Sequence, residues 1–197
     1  MRTNTLRTSM LALGGGAVFV ALAAVSRPPA KPSLAQVRAA RVERGKYLVG
    51  AIGCGHCHSP KVMGAKGPVE DRSRLLSGHP EGSALPDAPK PSGPWIATAA
   101  WDLTAWSGPW GVSYAMNLTP DENTGIGSWS EDTFVKALRT GKHMGVSRPI
   151  LPPMPWDSFR NFSDEDLKSM YAYLRTIPPV HNRVPDPGEP PAQTASN

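Results

Sequence analysis

The stretch Gly53–Pro60, GCGHCHSP, contains Cys54 and Cys57, the two cysteines of the 197-residue chain, with His58 directly after the second. C-x-x-C-H is the pattern for covalent attachment of a c-type haem. In that chemistry each thiol adds to one haem vinyl group, and two intervening residues let both sulfurs reach neighbouring vinyls. The following imidazole lies under the iron as the proximal ligand. Gly53 and Gly55 are expected to keep the backbone slim where a flat macrocycle approaches. His56, inside the motif, reads as a solvent-facing spacer.

Three other uses of paired thiols fit less well. A disulfide between cysteines this close shuts a tiny loop and adds little stability. A thioredoxin-like pair needs a βαβ context, and no such pattern surrounds the motif. A zinc site could recruit His56 and His58, yet no second C-x-x-C or H-x-x-x-H lies downstream to complete it.

The iron of a haem held by one histidine still has an open side, and the group that fills it separates a carrier from a catalyst. Met154 is the leading candidate, because LPPMPW holds its thioether between Pro153 and Pro155 on a stiff strap with little entropy left to lose. Met144, Met116 and His143 lie in loops and remain alternatives, as does a site with no sixth ligand. Met63 falls on the proximal side by its closeness to His58, and Met170 belongs to the apolar stripe of a helix. His79 and His181 are expected at the surface.

The charge of +5 is unevenly placed: four of the 21 basic residues and none of the 16 acidic ones fall in residues 1–35, so the remainder is nearly balanced. That removes the argument for a nucleic-acid partner. Arg2 and Arg7 precede the apolar run Met10–Val25, and Ala21-Leu22-Ala23 offers a small-x-small cleavage site. Residues 1–25 therefore read as a signal peptide, with an N-terminal anchor as the alternative, and place the chain in the periplasm or on the extracytoplasmic face of the inner membrane. The run is shorter than the ~20 residues of an ordinary span.

Residues 26–35 read as a linker and residues 36–182 as one domain. The first helix should run through SLAQVRAARVERGKYLVGAIG, with Leu34, Val37, Val42, Leu48 and Val49 among its apolar positions. From 64 to 117 the chain is rich in Gly, Pro and Trp and reads as a long loop insertion, its Trp95, Trp101, Trp106 and Trp110 expected to find burial. SEDTFVKALRTG is a helix capped by Ser130 and stopped by Gly141. SDEDLKSMYAYLRTIPP is another, begun by Ser163 and Asp166 in capping-box spacing and stopped by Pro178. Between them RPILPPMPW is an extended strap. Residues 183–197 read as a disordered tail.

A helix leading into C-x-x-C-H, a methionine strap and a C-terminal helix together resemble a class I c-type cytochrome. More narrowly, NLTPDENTGIGSWSEDTFVKALRTGK, PPMPW and DEDLKSMYAYLRTIPPV are similar to the cytochrome c domains of bacterial alcohol, aldehyde and sugar-acid dehydrogenase cytochrome subunits. The match spans about Arg44–Val180. It implies an all-α, cytochrome c-like fold of three to four short helices around one covalently bound haem c. Cys54 and Cys57 carry that haem, His58 is the proximal and Met154 the distal ligand. The first and last helices cross through Gly45 with Tyr47 and through Tyr171 or Tyr173 with Leu174. One C-x-x-C-H motif, where such subunits commonly carry several, implies a single haem.

The function expected is one-electron transfer between periplasmic or membrane-bound redox partners by Fe(II)/Fe(III) cycling, with no enzyme activity of the chain itself. The partners are a redox protein donor and acceptor, including a membrane-bound oxidoreductase complex. The alternatives are a haem enzyme or gas-binding protein with an open sixth site, and a tethered subunit of a larger respiratory, photosynthetic or dehydrogenase assembly.

Overall fold

The computed structural model describes residues 31–83, 85–87 and 93–188. The expected signal peptide or anchor, the start of the linker and the end of the tail lie outside these residues. Among the described residues no helix is long and apolar enough to cross a membrane.

Among the described residues five helices form: α1 (Leu34–Ile52), α2 (Cys54–His58), α3 (Glu131–Thr140), α4 (Trp156–Phe159) and α5 (Asp164–Leu174). The three longer ones begin as their sequences dictate. Ser33, Ser130 and Ser163 each accept a hydrogen bond from the backbone N–H three residues on, satisfying a donor that the first helical turn leaves open. Ser33 and Gln36 close a reciprocal capping box. Gly141 ends α3 in the left-handed conformation, φ 65°.

The core forms where α1 and α5 cross. Gly45 is the contact: a Cβ there would lie 1.8 Å from the Ser169 carbonyl oxygen and 2.9 Å from Tyr173 Cβ. This close approach lets Leu48 and Val49 join Leu167, Met170 and Leu174 in one cluster with Ile126, Phe134 and Leu138. Tyr47, expected to share in the crossing, instead stays 65% exposed, beneath the Arg44 guanidinium. Leu34 and Val37 are exposed as well, so the first turns of α1 stand off the core.

Ion pairs brace the same crossing from outside. Arg41 bonds Glu165 at 2.5 Å and Glu131 at 3.4 Å, and Arg44 Nε bonds Asp166 Oδ1 at 2.9 Å. The hydrogen bond from Arg44 holds the Asp166 carboxyl below its ordinary value of 3.8. A depressed folded-state pKa stabilises above the unfolded value, and the contribution fades as pH falls through the folded one. Asp166→Asn should therefore lower the urea midpoint near neutral pH. The gap from wild type should close below about pH 3.8; a gap constant from pH 7 to pH 3 would show that the pair contributes nothing through its charge.

The all-α expectation is corrected by the insertion. Residues 61–114 contain five strands in two antiparallel sheets among the described residues: β1 (Lys61–Gly64) with β2 (Gly67–Glu70), and the meander β3 (Thr98–Ala99), β4 (Ala105–Gly108), β5 (Gly111–Tyr114). Each hairpin turns on two residues, Ala65-Lys66 and Pro109-Trp110, between glycines that face one another across the pair. Two-residue loops are the favoured way to join antiparallel strands. Both faces of the meander carry buried residues, Ala105 and Ser107 on one and Ser113 on the other.

The tryptophans do not share one fate. Trp95 and Trp101 stand 75% and 59% exposed, against the expectation of burial. Trp106 and Trp110 are partly covered.

His79, expected at the surface, is 1% exposed. Its backbone N–H bonds Ala115 O. Thr104 Oγ1 donates to Asp102 Oδ2 at 2.9 Å and so accepts from His79 Nδ1 at 2.7 Å. The chain beyond α5 is also tied down, as Asn182 Nδ2 bonds the carbonyls of Ser77 and His79, and Gly188 N–H bonds Val112 O.

Candidate haem site

The end of α1, the α2 turn, the walls of α3 and α5, and residues 106–118 and 150–155 enclose a mainly apolar cavity of about 250 Å³. Cys54, Cys57, His58 and Met154 all line it. The proximal motif and the methionine strap, far apart in sequence, thus meet at one space.

Gly53 sets the entry to the motif. With φ 82° it ends α1 and starts α2, a reversal that side-chain-bearing residues resist. The neighbours that a side chain would strike are not empty cavity. A Cβ at Gly53 would meet His56 Nδ1 at 2.8 Å, and one at Gly55 would meet Glu70 Oε1 at 2.6 Å. The glycines make room for the motif's own turn and for the Glu70 side chain at the end of β2, and Gly53 also lines the cavity.

Lys61 closes the other end of the turn. Its ammonium donates to Ser59 O at 2.5 Å and His56 O at 2.9 Å, satisfying carbonyls that the last turn of α2 leaves free. His56 is exposed, as expected of a spacer.

His58 is 7% exposed, and its Nδ1 lies 2.8 Å from Met116 O. A carbonyl only accepts, so Nδ1 carries the hydrogen and Nε2 keeps its lone pair, the tautomer a metal-binding imidazole requires. Burial pushes its pKa down, opposed by the bond to Met116 and aided by the charge of Lys61, so the ring is held neutral. Gly78 supports the same wall: its N–H bonds His58 O at 2.7 Å, and at φ 83° it passes so close to residues 115–117 that a Cβ would lie 2.5 Å from Ala115 O.

Both thiols are free, and burial raises their pKa values, that of Cys54 to about 11. Met154 lies across the sequence on the strap, where its N–H bonds Leu151 O at 3.3 Å and Trp156 N–H bonds Met154 O at 2.9 Å. The strap is thus a turn running into the one-turn helix α4 rather than an extended segment.

The alternative ligands are placed unequally. Met144 is 43% exposed and outside the cavity wall; Met63, on β1, is 70% exposed. Met116 lines the cavity, but its carbonyl is engaged behind the His58 ring. His143 lines it too, edge-on to Trp129 at 5.3 Å. Met170 is core, as expected. Sequence reasoning misses three contributors: the Met116 carbonyl as acceptor from His58, and Trp106 and Ser113 on the cavity wall. The hairpin signal in AWSGPWGVSY is the feature that could have found the last two.

The donor set fits a haem: two free thiols two residues apart on one helical turn, an imidazole with an available nitrogen, a thioether, and otherwise mainly apolar walls. The Cytochrome c family model matches residues 42–178, and the chain belongs to the cytochrome c family. Membership implies covalently bound haem c.

The gluconate 2-dehydrogenase cytochrome c subunit of Pantoea cypripedii is 35% identical over 146 residues, covering 74% of this chain and 25% of that protein. The fructose dehydrogenase cytochrome subunit of Gluconobacter japonicus is 30% identical over 157 residues, covering 79% and 25%. The cytochrome c subunit of the quinone-dependent alcohol dehydrogenase of Gluconobacter oxydans is 38% identical over 81 residues, covering 40% and 17%. The chain spans a quarter or less of the length of these curated relatives. The resemblance to cytochrome domains of bacterial dehydrogenase subunits is borne out.

Proposed function

We propose that this chain is a single-haem c-type cytochrome that carries one electron at a time between extracytoplasmic redox partners, and is not itself an enzyme. When bound, the haem supplies reversible Fe(II)/Fe(III) chemistry. The observation that carries the reading is the convergence of Cys54, Cys57, His58 and Met154 on one apolar cavity.

Each residue has a distinct task in this reading. Cys54 and Cys57 anchor the macrocycle as thioethers. His58 offers Nε2, its ring orientation held by the Nδ1–H bond to Met116 O. Met154 would supply a thioether, and a neutral thioether in a dry pocket favours the reduced state and so a higher potential. The walls from α3, α5 and β4–β5 exclude water.

The donor we favour is a dehydrogenase, since relatives are named as subunits of gluconate, fructose and alcohol dehydrogenases. Contacts with partners should be small and short-lived, as electron-transfer encounters are. Export through residues 1–25 would put the chain in the periplasm or on the outer face of the inner membrane.

The test is spectroscopic. Holo-protein from an exporting host should keep its pigment in acidified organic solvent and show a six-coordinate low-spin oxidised form. Extractable pigment would overturn covalent attachment, and a high-spin oxidised form would overturn closure of the sixth site.

A further inference from the structure

The segment 146–155, whose Met154 packs against the core, takes its hydrogen bonds chiefly from its own neighbours. Its backbone bonds run from Ile150 N–H to Gly141 O, from His143 N–H to Arg148 O and from Met154 N–H to Leu151 O. Among the described residues one hydrogen bond reaches it from outside residues 140–160. Ser113 Oγ donates to Pro152 O at 2.6 Å, two residues before the methionine.

Ser113 is itself held. It is 7% exposed on β5, directly across from Trp106 of β4. Its hydroxyl accepts from Trp110 Nε1 at 3.3 Å while donating to Pro152, so both of its hydrogen-bonding roles are filled and its rotamer is set. The Trp110 ring lies where only a glycine at 108 leaves room, 2.5 Å from where a Cβ would stand. Outside, Gly188 N–H pairs with Val112 O and pins the back of the same strand.

We propose that Ser113 is the positioning residue for Met154, with the β4–β5 hairpin as the rigid scaffold that keeps the strap against the cavity. The proposal rests on the reading of Met154 as distal ligand. A hydroxyl fixed on a sheet transmits the sheet's rigidity to a turn that otherwise has only local bonds. Without it, Pro152 loses its distant anchor and Met154 can move off.

Competition by imidazole for the sixth position of the oxidised holo-protein reads the strap's hold directly. Ser113→Ala should bind imidazole about fivefold more tightly, the factor that one ordinary hydrogen bond carries. It should also weaken the near-infrared sulfur-to-iron band, which loss of fold stability alone would leave in place. Ser113→Thr, which keeps the hydroxyl, should restore both, and Trp110→Phe should shift them in the same direction by about twofold.

If Met154→Ala raises imidazole affinity while Ser113→Ala leaves it at the wild-type value, the positioning role is wrong and the ligand reading stands. If Met154→Ala changes neither affinity nor band, the ligand reading itself fails. Should Ser113→Ala not yield haem-loaded protein, Trp110→Phe decides, and a wild-type affinity there overturns the proposal.

Discussion

Replacing Met154 with alanine is expected to leave the pigment covalently attached while converting the oxidised protein to a form that takes up imidazole or cyanide readily. In the proposed reading the two thioether links would depend on Cys54 and Cys57, far in sequence from the strap, so nothing in the substitution would free the macrocycle. With Met154 as the proposed ligand, the change would fall on the iron's sixth side and on the potential. A thioether stabilises Fe(II) over Fe(III). If that preference is about a hundredfold, its loss lowers a one-electron potential by roughly 120 mV, at about 59 mV per decade. A potentiometric titration alongside an imidazole titration checks both effects. An unchanged spectrum would shift the assignment to His143 or Met116, the other candidate donors on the cavity wall.

The largest effect on stability is expected at Gly45. Gly45→Ala adds one methyl group, but its carbon would lie 1.8 Å from Ser169 O and 2.5 Å from Ser169 C. Those are backbone atoms in the middle of α5 and cannot swing aside as a side chain would. The helices must separate, and the separation spreads to Leu48 and Val49 on one side and Leu167 and Leu174 on the other. Overpacking at a yielding site costs about 1–3 kcal/mol, and here about 3–5 kcal/mol is expected because the obstacle is rigid. For a domain of this size that is a fall in Tm on the order of 10 °C or more. Thermal unfolding of the holo-protein followed by circular dichroism measures it, and a Tm within about 2 °C of wild type would mean that the crossing has slack it does not show.

The helices were legible because their signals are local. Ser130, Gly141 and Ser163 sit where capping requires them, and each is used as its type and spacing suggest. The strands were not, since four-residue runs such as AWSG and GVSY carry little composition bias of their own. Their stability comes from the pairing of Trp106 with Ser113 and from the chain beyond α5 that covers Val112. The same limit explains His79. No neighbour in sequence marks it as buried, because Thr104, Asp102 and Asn182 lie 23 or more positions away.

From its sequence alone this protein is specified as a covalent haem carrier with three principal helices, because C-x-x-C-H, the caps and the helical stripes are all encoded within a few residues. Tertiary structure decided that the insertion is a pair of sheets, that Trp95 and Trp101 face outward while His79 is buried, and that Met154 rather than Met144 borders the cavity. Those outcomes depend on which distant segments meet, and that is settled by packing and hydrogen bonding across the fold rather than by any local preference.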